Sequence, residues 1–160
     1  MFSIKIIAMT VLVVYYSRTG NTRKIGQEIA RQLKADIEEI ISPRGRSGPL
    51  GFLWSGGEAA LRLMTKIKPI KKDPAKYDLV VIGTPIWSFN MSSPVRTYLS
   101  KHKFKKVAFF LTHEGAPGKT FKNMGVLVGK TPVATLAVVK KEIVGKAYSA
   151  KVKEFVKKLK

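Results

Sequence analysis

The sequence predicts a doubly wound α/β fold, a five-stranded parallel sheet between two helical layers. Three observations carry this prediction. Apolar runs of strand length recur at residues 10–15, 78–83, 107–111 and 133–139. The segments between them place apolar residues at helical spacing. The run Asp78-Leu79-Val80-Val81-Ile82-Gly83 also lacks the alternation of a half-exposed strand, as expected for a central parallel strand covered on both faces.

The elements follow in order. Residues 10–15 are β-branched and aromatic, and residues 17–22 form a polar turn, after which Ile25, Ile29 and Leu33 recur at helical spacing. Residues 36–41 read as a short second strand. Residues 42–57 hold five Gly and two Pro and read as loop, with Leu50, Phe52, Leu53 and Trp54 embedded in it as a lining for a substrate space or a dimer contact. Residues 58–65 read as helix, ending before Pro69. The third strand, residues 78–83, is followed by a loop over residues 84–91. Ser92 or Ser93 then caps a helix with Pro94 in its first turn and Val95, Tyr98 and Leu99 on its apolar side. Residues 107–111 are the fourth strand, 112–119 its loop, 120–128 a short helix and 133–139 the last strand. Tyr148, Val152, Phe155, Val156 and Leu159 make one stripe on a closing helix.

One core is expected at 160 residues. Residues 1–16 are almost continuously apolar, yet they lack a small-residue cleavage site and run straight into a polar turn. Neither a signal peptide nor a membrane span fits. Residues 1–8 read as an extension or strand lead, and residues 9–160 as the domain, with a cytoplasmic location expected.

The absence of Cys excludes disulfide scaffolds, thiolate metal sites and thiol catalysis, and two His without clustered acids make no metal site. The charge balance is 30 Lys+Arg against 10 Asp+Glu, a net +20. Residues 1–40 hold six basic and four acidic residues, so the excess lies beyond them, at Lys66 to Lys72, at Lys101 to Lys106 and in the last 21 residues. Neither a helix-turn-helix nor an aromatic-plus-basic sheet motif accompanies it, so nucleic acid is disfavoured. Solvated helix faces and a docking face for an acidic partner account for it better.

In a doubly wound sheet, ligands bind beyond the carboxyl ends of the strands where the winding reverses. After the first strand stand Ser17, Arg18, Thr19, Gly20, Asn21 and Thr22, opening directly into a helix. Hydroxyls, a Gly and free amides at a helix start make a cup for a phosphate dianion. The Walker and G-x-G-x-x-G spacings are both missing. After the third strand come Thr84, Pro85, Ile86, Trp87, Phe89 and Asn90; Trp87 is the better candidate to stack on a flat ligand, and Phe89 is expected in the core. After the fourth come Thr112, His113, Glu114 and Gly115, a polar Gly-rich loop suited to a ring edge.

These residues resemble the flavodoxin family. The likeness rests on YYSRTGNT at residues 15–22, similar to that family's phosphate loop, and on GTPIW at residues 83–87, similar to its aromatic loop. It implies strand order 2-1-3-4-5 in a three-layer α/β/α arrangement and FMN as cofactor. By position, Ser17, Arg18, Thr19, Gly20, Asn21 and Thr22 would hold the phosphate. Thr84, Pro85, Ile86, Trp87 and Asn90 would meet the ribityl chain and one ring face, and Thr112, His113, Glu114 and Gly115 the pyrimidine edge or opposite face. The chain departs from the acidic electron carriers of the family in its basic charge, in the absence of an aromatic beside His113 and in the segment at residues 42–57. Three roles stay open: an electron shuttle with an acidic redox partner; an FMN-dependent reductase of nicotinamide, quinone or another small planar acceptor, either of these two as a monomer or homodimer; and a cofactor-free basic binding module.

Overall fold

The computed structural model describes residues 7–43, 48–60 and 64–160. Along the chain run β1 (Val11–Tyr15), α1 (Asn21–Leu33), β2 (Asp36–Glu39), α2 (Gly48–Ala60), β3 (Leu79–Trp87), β4 (Asn90–Met91), α3 (Ser93–Lys101), β5 (Val107–His113), α4 (Thr120–Val128), β6 (Thr135–Val139), α5 (Lys140–Val144) and α6 (Tyr148–Leu159). The strands stand in the order β2-β1-β3-β5-β6, every neighbouring pair parallel. With the two-residue β4 set aside, this is the order 2-1-3-4-5. The winding reverses between β1 and β3, and the carboxyl ends of those two strands frame the switch point.

Alternation along the strands divides the core into two layers. Val11, Val13, Tyr15, Val81 and Phe110 point to the face covered by α1 and α6, where Ile25, Ile29, Val152 and Phe155 meet them. Leu12, Val14, Val80, Ile82 and Phe109 point to the other face, against Val95, Tyr98 and Leu99 of α3 and Met124 of α4. A sheet buried on both sides explains why its strands read as unbroken apolar runs.

Two glycines set how closely α1 approaches the sheet. A Cβ on Gly83 would fall inside the Phe110 ring, and one on Gly26 of α1 would strike the Tyr15 ring. Gly83 pairs with Tyr15 on one side and Phe110 on the other. Both rings therefore lie flat in the space two missing side chains leave, and α1 sits directly on them.

Several sequence expectations are corrected. Residues 48–57, expected as loop, belong to α2: Pro49 suits a first helical turn, and at Gly56 the helix approaches the hairpin, where an added Cβ would lie 3.2 Å from Ser88 Oγ. The helix expected at residues 58–65 thus begins ten residues earlier; residues 61–63 lie outside the described residues, while Met64 and Thr65 are non-helical. Thr65 is pinned to α3, its N–H donating to Thr97 Oγ1 at 3.0 Å and its carbonyl accepting from the same hydroxyl at 2.7 Å.

The loop expected at residues 84–91 is an extension of β3 and a hairpin into β4, with Trp87 paired to Asn90. Ser88 and Phe89 both take positive φ, 48° and 60°. Primed turns of this kind usually advertise themselves with Asn-Gly, so Ser-Phe gives no signal. The fourth strand runs on to His113, the last begins at Thr135 rather than residue 133, and α5 was not expected. Of the strand lead at residues 1–8, residues 1–6 lie outside the described residues, and Ile7 and Ala8 are exposed without strand pairing. Among the described residues no helix is long and apolar enough to cross a membrane.

At the opposite end of the sheet, Asp78 Oδ2 accepts from Thr10 N at 2.9 Å and Thr10 Oγ1 at 3.1 Å. The backbone bond, then the hydroxyl, hold this carboxyl below its usual value of 3.8. A depressed folded-state value contributes stability above the ordinary carboxylate range and loses it as pH falls through the lowered value. Asp78→Ala should therefore melt below wild type at pH 7, and the two melting curves should converge in strong acid. Gly26→Ala should destabilise by about 1–3 kcal/mol through overpacking, read from urea unfolding, whereas Gly57→Ala, whose added Cβ meets nothing within 4 Å, should be near neutral.

Candidate functional site

A cavity of about 400 Å³ opens at the switch point, within the range of small-molecule sites. Most of its lining comes from three chain segments at the carboxyl ends of β1, β3 and β5. Of the residues singled out in the sequence, Arg18, Thr19, Asn21, Thr22, Pro85, Ile86, Trp87, Thr112, His113, Glu114 and Gly115 line it.

The segment after β1 is built around Gly20, whose φ of 100° only glycine adopts without strain. Ser17 Oγ accepts from Gly20 N at 3.0 Å, closing the turn, so that hydroxyl shapes the loop instead of facing the cavity. The first intrahelical bond runs from Lys24 N to Gly20 O at 3.0 Å. The amides of Asn21, Thr22 and Arg23 precede it, and no side chain caps them. Thr22 is buried, and its hydroxyl lies 2.8 Å from Thr112 Oγ1, tying the start of α1 to the end of β5.

The β3–β4 hairpin forms the next wall. Trp87 is 5% exposed and packs edge-on against Tyr16, centroids 5.4 Å apart at 88°. Phe89, expected in the core, is 70% exposed and lines the cavity. The positive φ angles at the turn tip it outward, so the free ring face here is that of Phe89, while Trp87 supports the wall. The tip is latched to the segment after β5: a Cβ on Gly118 would press on Phe89 O, and Thr120 Oγ1 donates to that carbonyl at 3.4 Å. Thr84 and Asn90 do not line the cavity. Thr84 Oγ1 accepts from Ser92 N at 3.0 Å, and Asn90 Oδ1 accepts from Met91 N at 2.9 Å and Asn123 Nδ2 at 3.2 Å. Both hold the hairpin to the helices behind it.

On the third side His113 lines the cavity, and its Nδ1 is buried from solvent with no hydrogen-bond partner among the described residues, a costly state for a polar atom. Glu114 reaches Lys140 at 2.7 Å, an exposed pair of small energetic worth.

Ser88, Phe89, Ala116 and Lys140 line the cavity without having been expected there, and Phe52 lines it as one of the two roles the sequence left open for residues 50–54. Lys140 follows β6, one strand beyond those considered. Phe52 comes from α2, with the Arg18 guanidinium 5.3 Å from its ring centroid. The primed hairpin had no local signature, so Phe89 was not legible at this wall, and the helicity of α2 that presents Phe52 was not legible either.

The arrangement offers uncapped amides at one end, aromatic surface along one side and the polar loop of His113, Glu114 and Gly115 as a further wall. It suits a ligand with an anionic tail and a flat, hydrogen-bonding body.

No family model matches the chain. Solved structures do resemble it. A flavoprotein from Lactobacillus acidophilus in complex with FMN is 22% identical with a TM-score of 0.69, over 88% of this chain and 99% of that one. A protein from Bacteroides uniformis assigned as a flavoprotein is 19% identical with a TM-score of 0.77, over 94% and 99% of the two chains. The two-electron reduced flavodoxin of Megasphaera elsdenii is 20% identical with a TM-score of 0.60, over 94% and 100%. Together with the strand order and the two helical layers, these likenesses show that the chain has the flavodoxin-like fold.

Proposed function

We propose that the chain is a redox protein that binds FMN non-covalently at the switch-point cavity. The observation that carries this is the pairing of three uncapped amides at the start of α1 with the aromatic wall of Trp87 and Phe89 on one cavity. A similarly folded flavoprotein from Lactobacillus acidophilus has FMN bound, which supports the same ligand here.

The residues fit the group. Thr19, Asn21 and Thr22 with the amides of Asn21, Thr22 and Arg23 would hold the phosphate, where helix N-terminal charge favours an anion. Pro85, Ile86, Trp87 and Phe89 would form the wall beside the ring, and Thr112, His113, Glu114 and Gly115 the polar edge. When bound, FMN supplies one- and two-electron transfer chemistry; the protein supplies placement, exclusion of water and electrostatics. Arg18 and Lys140 against Glu114 leave the lining net positive, so the more anionic reduced state is favoured. An acidic protein is the redox partner that the +20 charge suits best.

A reductase reading is favoured by a second cavity of about 310 Å³ between α2 and the hairpin, which shares Phe52, Ile86, Trp87 and Ser88 with the first. It would take a small planar acceptor. Stopped-flow mixing of the FMN-loaded protein with NADH or NADPH decides between the two: direct bleaching marks a reductase, and none marks a shuttle.

Binding is tested by titrating purified protein with FMN and following flavin fluorescence. Thr19→Ala should weaken FMN about tenfold, the worth of one charge-assisted hydrogen bond, and leave riboflavin, which lacks the phosphate, unchanged. Equal loss for both ligands would move Thr19 away from the phosphate. A redox titration should give a two-electron potential less negative than that of acidic flavodoxins.

A further inference from the structure

α2 is packed inside out. Its inward positions carry small residues: Gly51 and Ser55 are buried and Gly56 is half-buried. Its large apolar residues face solvent, with Leu50 81% exposed, Phe52 59%, Leu53 68% and Trp54 55%. A helix at the surface of a globular protein ordinarily does the reverse. The exposed residues lie on one element, and their only charged companion on it is Glu58. Scattered exposed apolar residues are normal, but Leu50, Leu53 and Trp54 share one side of the helix at i, i+3 and i+4, with Phe52 turned toward the cavity, and such a cluster marks a contact surface.

We propose that this face of α2 docks the protein on an anionic lipid bilayer, its apolar side chains entering the headgroup boundary while the rest of the molecule stays in water. The helix has 13 residues, too few to span a bilayer but ample to lie in its surface. Trp beside Leu is a pairing that favours that boundary. The charge is complementary: the chain carries +20, the Arg18 guanidinium sits 5.3 Å from the Phe52 ring centroid, and Lys66 and Lys68, in the segment that follows α2, are exposed. Anionic lipid attracts such cations at short range. The same charge opposes a second copy on this face, since two chains of +20 would be brought together there.

Phe52, on another side of the same helix, lines the switch-point cavity. Docking would set the cavity mouth at the lipid headgroups, next to membrane-borne partners. The lipid contact does not depend on FMN, so it stands or falls separately from the proposed cofactor.

The test is flotation of the full-length protein with vesicles of phosphatidylcholine alone and of equal parts phosphatidylcholine and phosphatidylglycerol. Binding is expected to the anionic vesicles only and to weaken with salt. Trp54 emission should shift to the blue on binding, since the other tryptophan, Trp87, is already buried. The double variant Leu50→Ser/Leu53→Ser, at exposed positions, should lose about tenfold in partition with FMN affinity retained. No flotation with anionic vesicles overturns the proposal. Flotation undiminished in the double variant overturns it too, because lysines alone would then hold the lipid. A wild-type dimer that the double variant converts to monomer, without vesicle binding, gives the face to a second copy instead.

Discussion

The close approach of α1 to the sheet is the constraint on which the rest depends. Phe110 lies over the bare backbone of Gly83, and Tyr15 lies under Gly26, so the first helix rests on two aromatic rings with no Cβ between. That contact fixes the height of the helix, and with it the position of its uncapped amides at the carboxyl edge of β1. The Thr22 to Thr112 hydroxyl contact then aligns the helix start with the loop after β5. Two segments ninety residues apart in sequence thereby face one cavity. Backbone amides can bind an anion only as a set, so their usefulness depends on packing below them more than on the side chains of the loop.

The second wall depends on a strained turn. Ser88 and Phe89 adopt left-handed conformations that cost non-glycine residues energy. The strain is held by pairing at Trp87 and Asn90, by the contact of Gly118 with Phe89, and by Ser88 Oγ donating to Gly56 O at 2.8 Å. The outcome is an exposed aromatic ring at the cavity and a hairpin joined to both neighbouring segments. The positive charge of the chain plays no part in this construction: the loop after β1 contributes one cation to the lining, Arg18, and Lys140 is half-neutralised by Glu114. The basic excess acts at longer range, on what approaches.

How much of this was legible in the sequence follows from what each feature depends on. The buried strands, α1 and the polar loop after β1 announced themselves because period and turn chemistry are local properties, and residues 10–15 and 17–22 state both. The wall residues were harder. Phe89, expected in the core, stands exposed at the cavity because a two-residue turn without Gly or Asn tips its ring out, while Trp87 lines the same wall from a buried position. α2 was hidden by glycines that ordinarily weaken helices, of which Gly56 brings the helix close to Ser88 of the hairpin. Ser17, Thr84 and Asn90 have the right chemistry for a ligand, yet the fold spends their polar atoms on its own loops. Lys140 follows a strand one place beyond the switch point, and only the three-dimensional edge brings it in.

The central claim is that three amides at the start of α1 hold a phosphate whose flat partner lies between the hairpin and His113. A crystal structure grown with FMN tests it most directly. The account predicts the phosphate within hydrogen-bonding distance of the Asn21, Thr22 and Arg23 amides and the ring beside Phe89, with its polar edge against the loop of Thr112 to Gly115. FMN held on the exposed lysines, or a cavity left empty at saturating FMN, would contradict it.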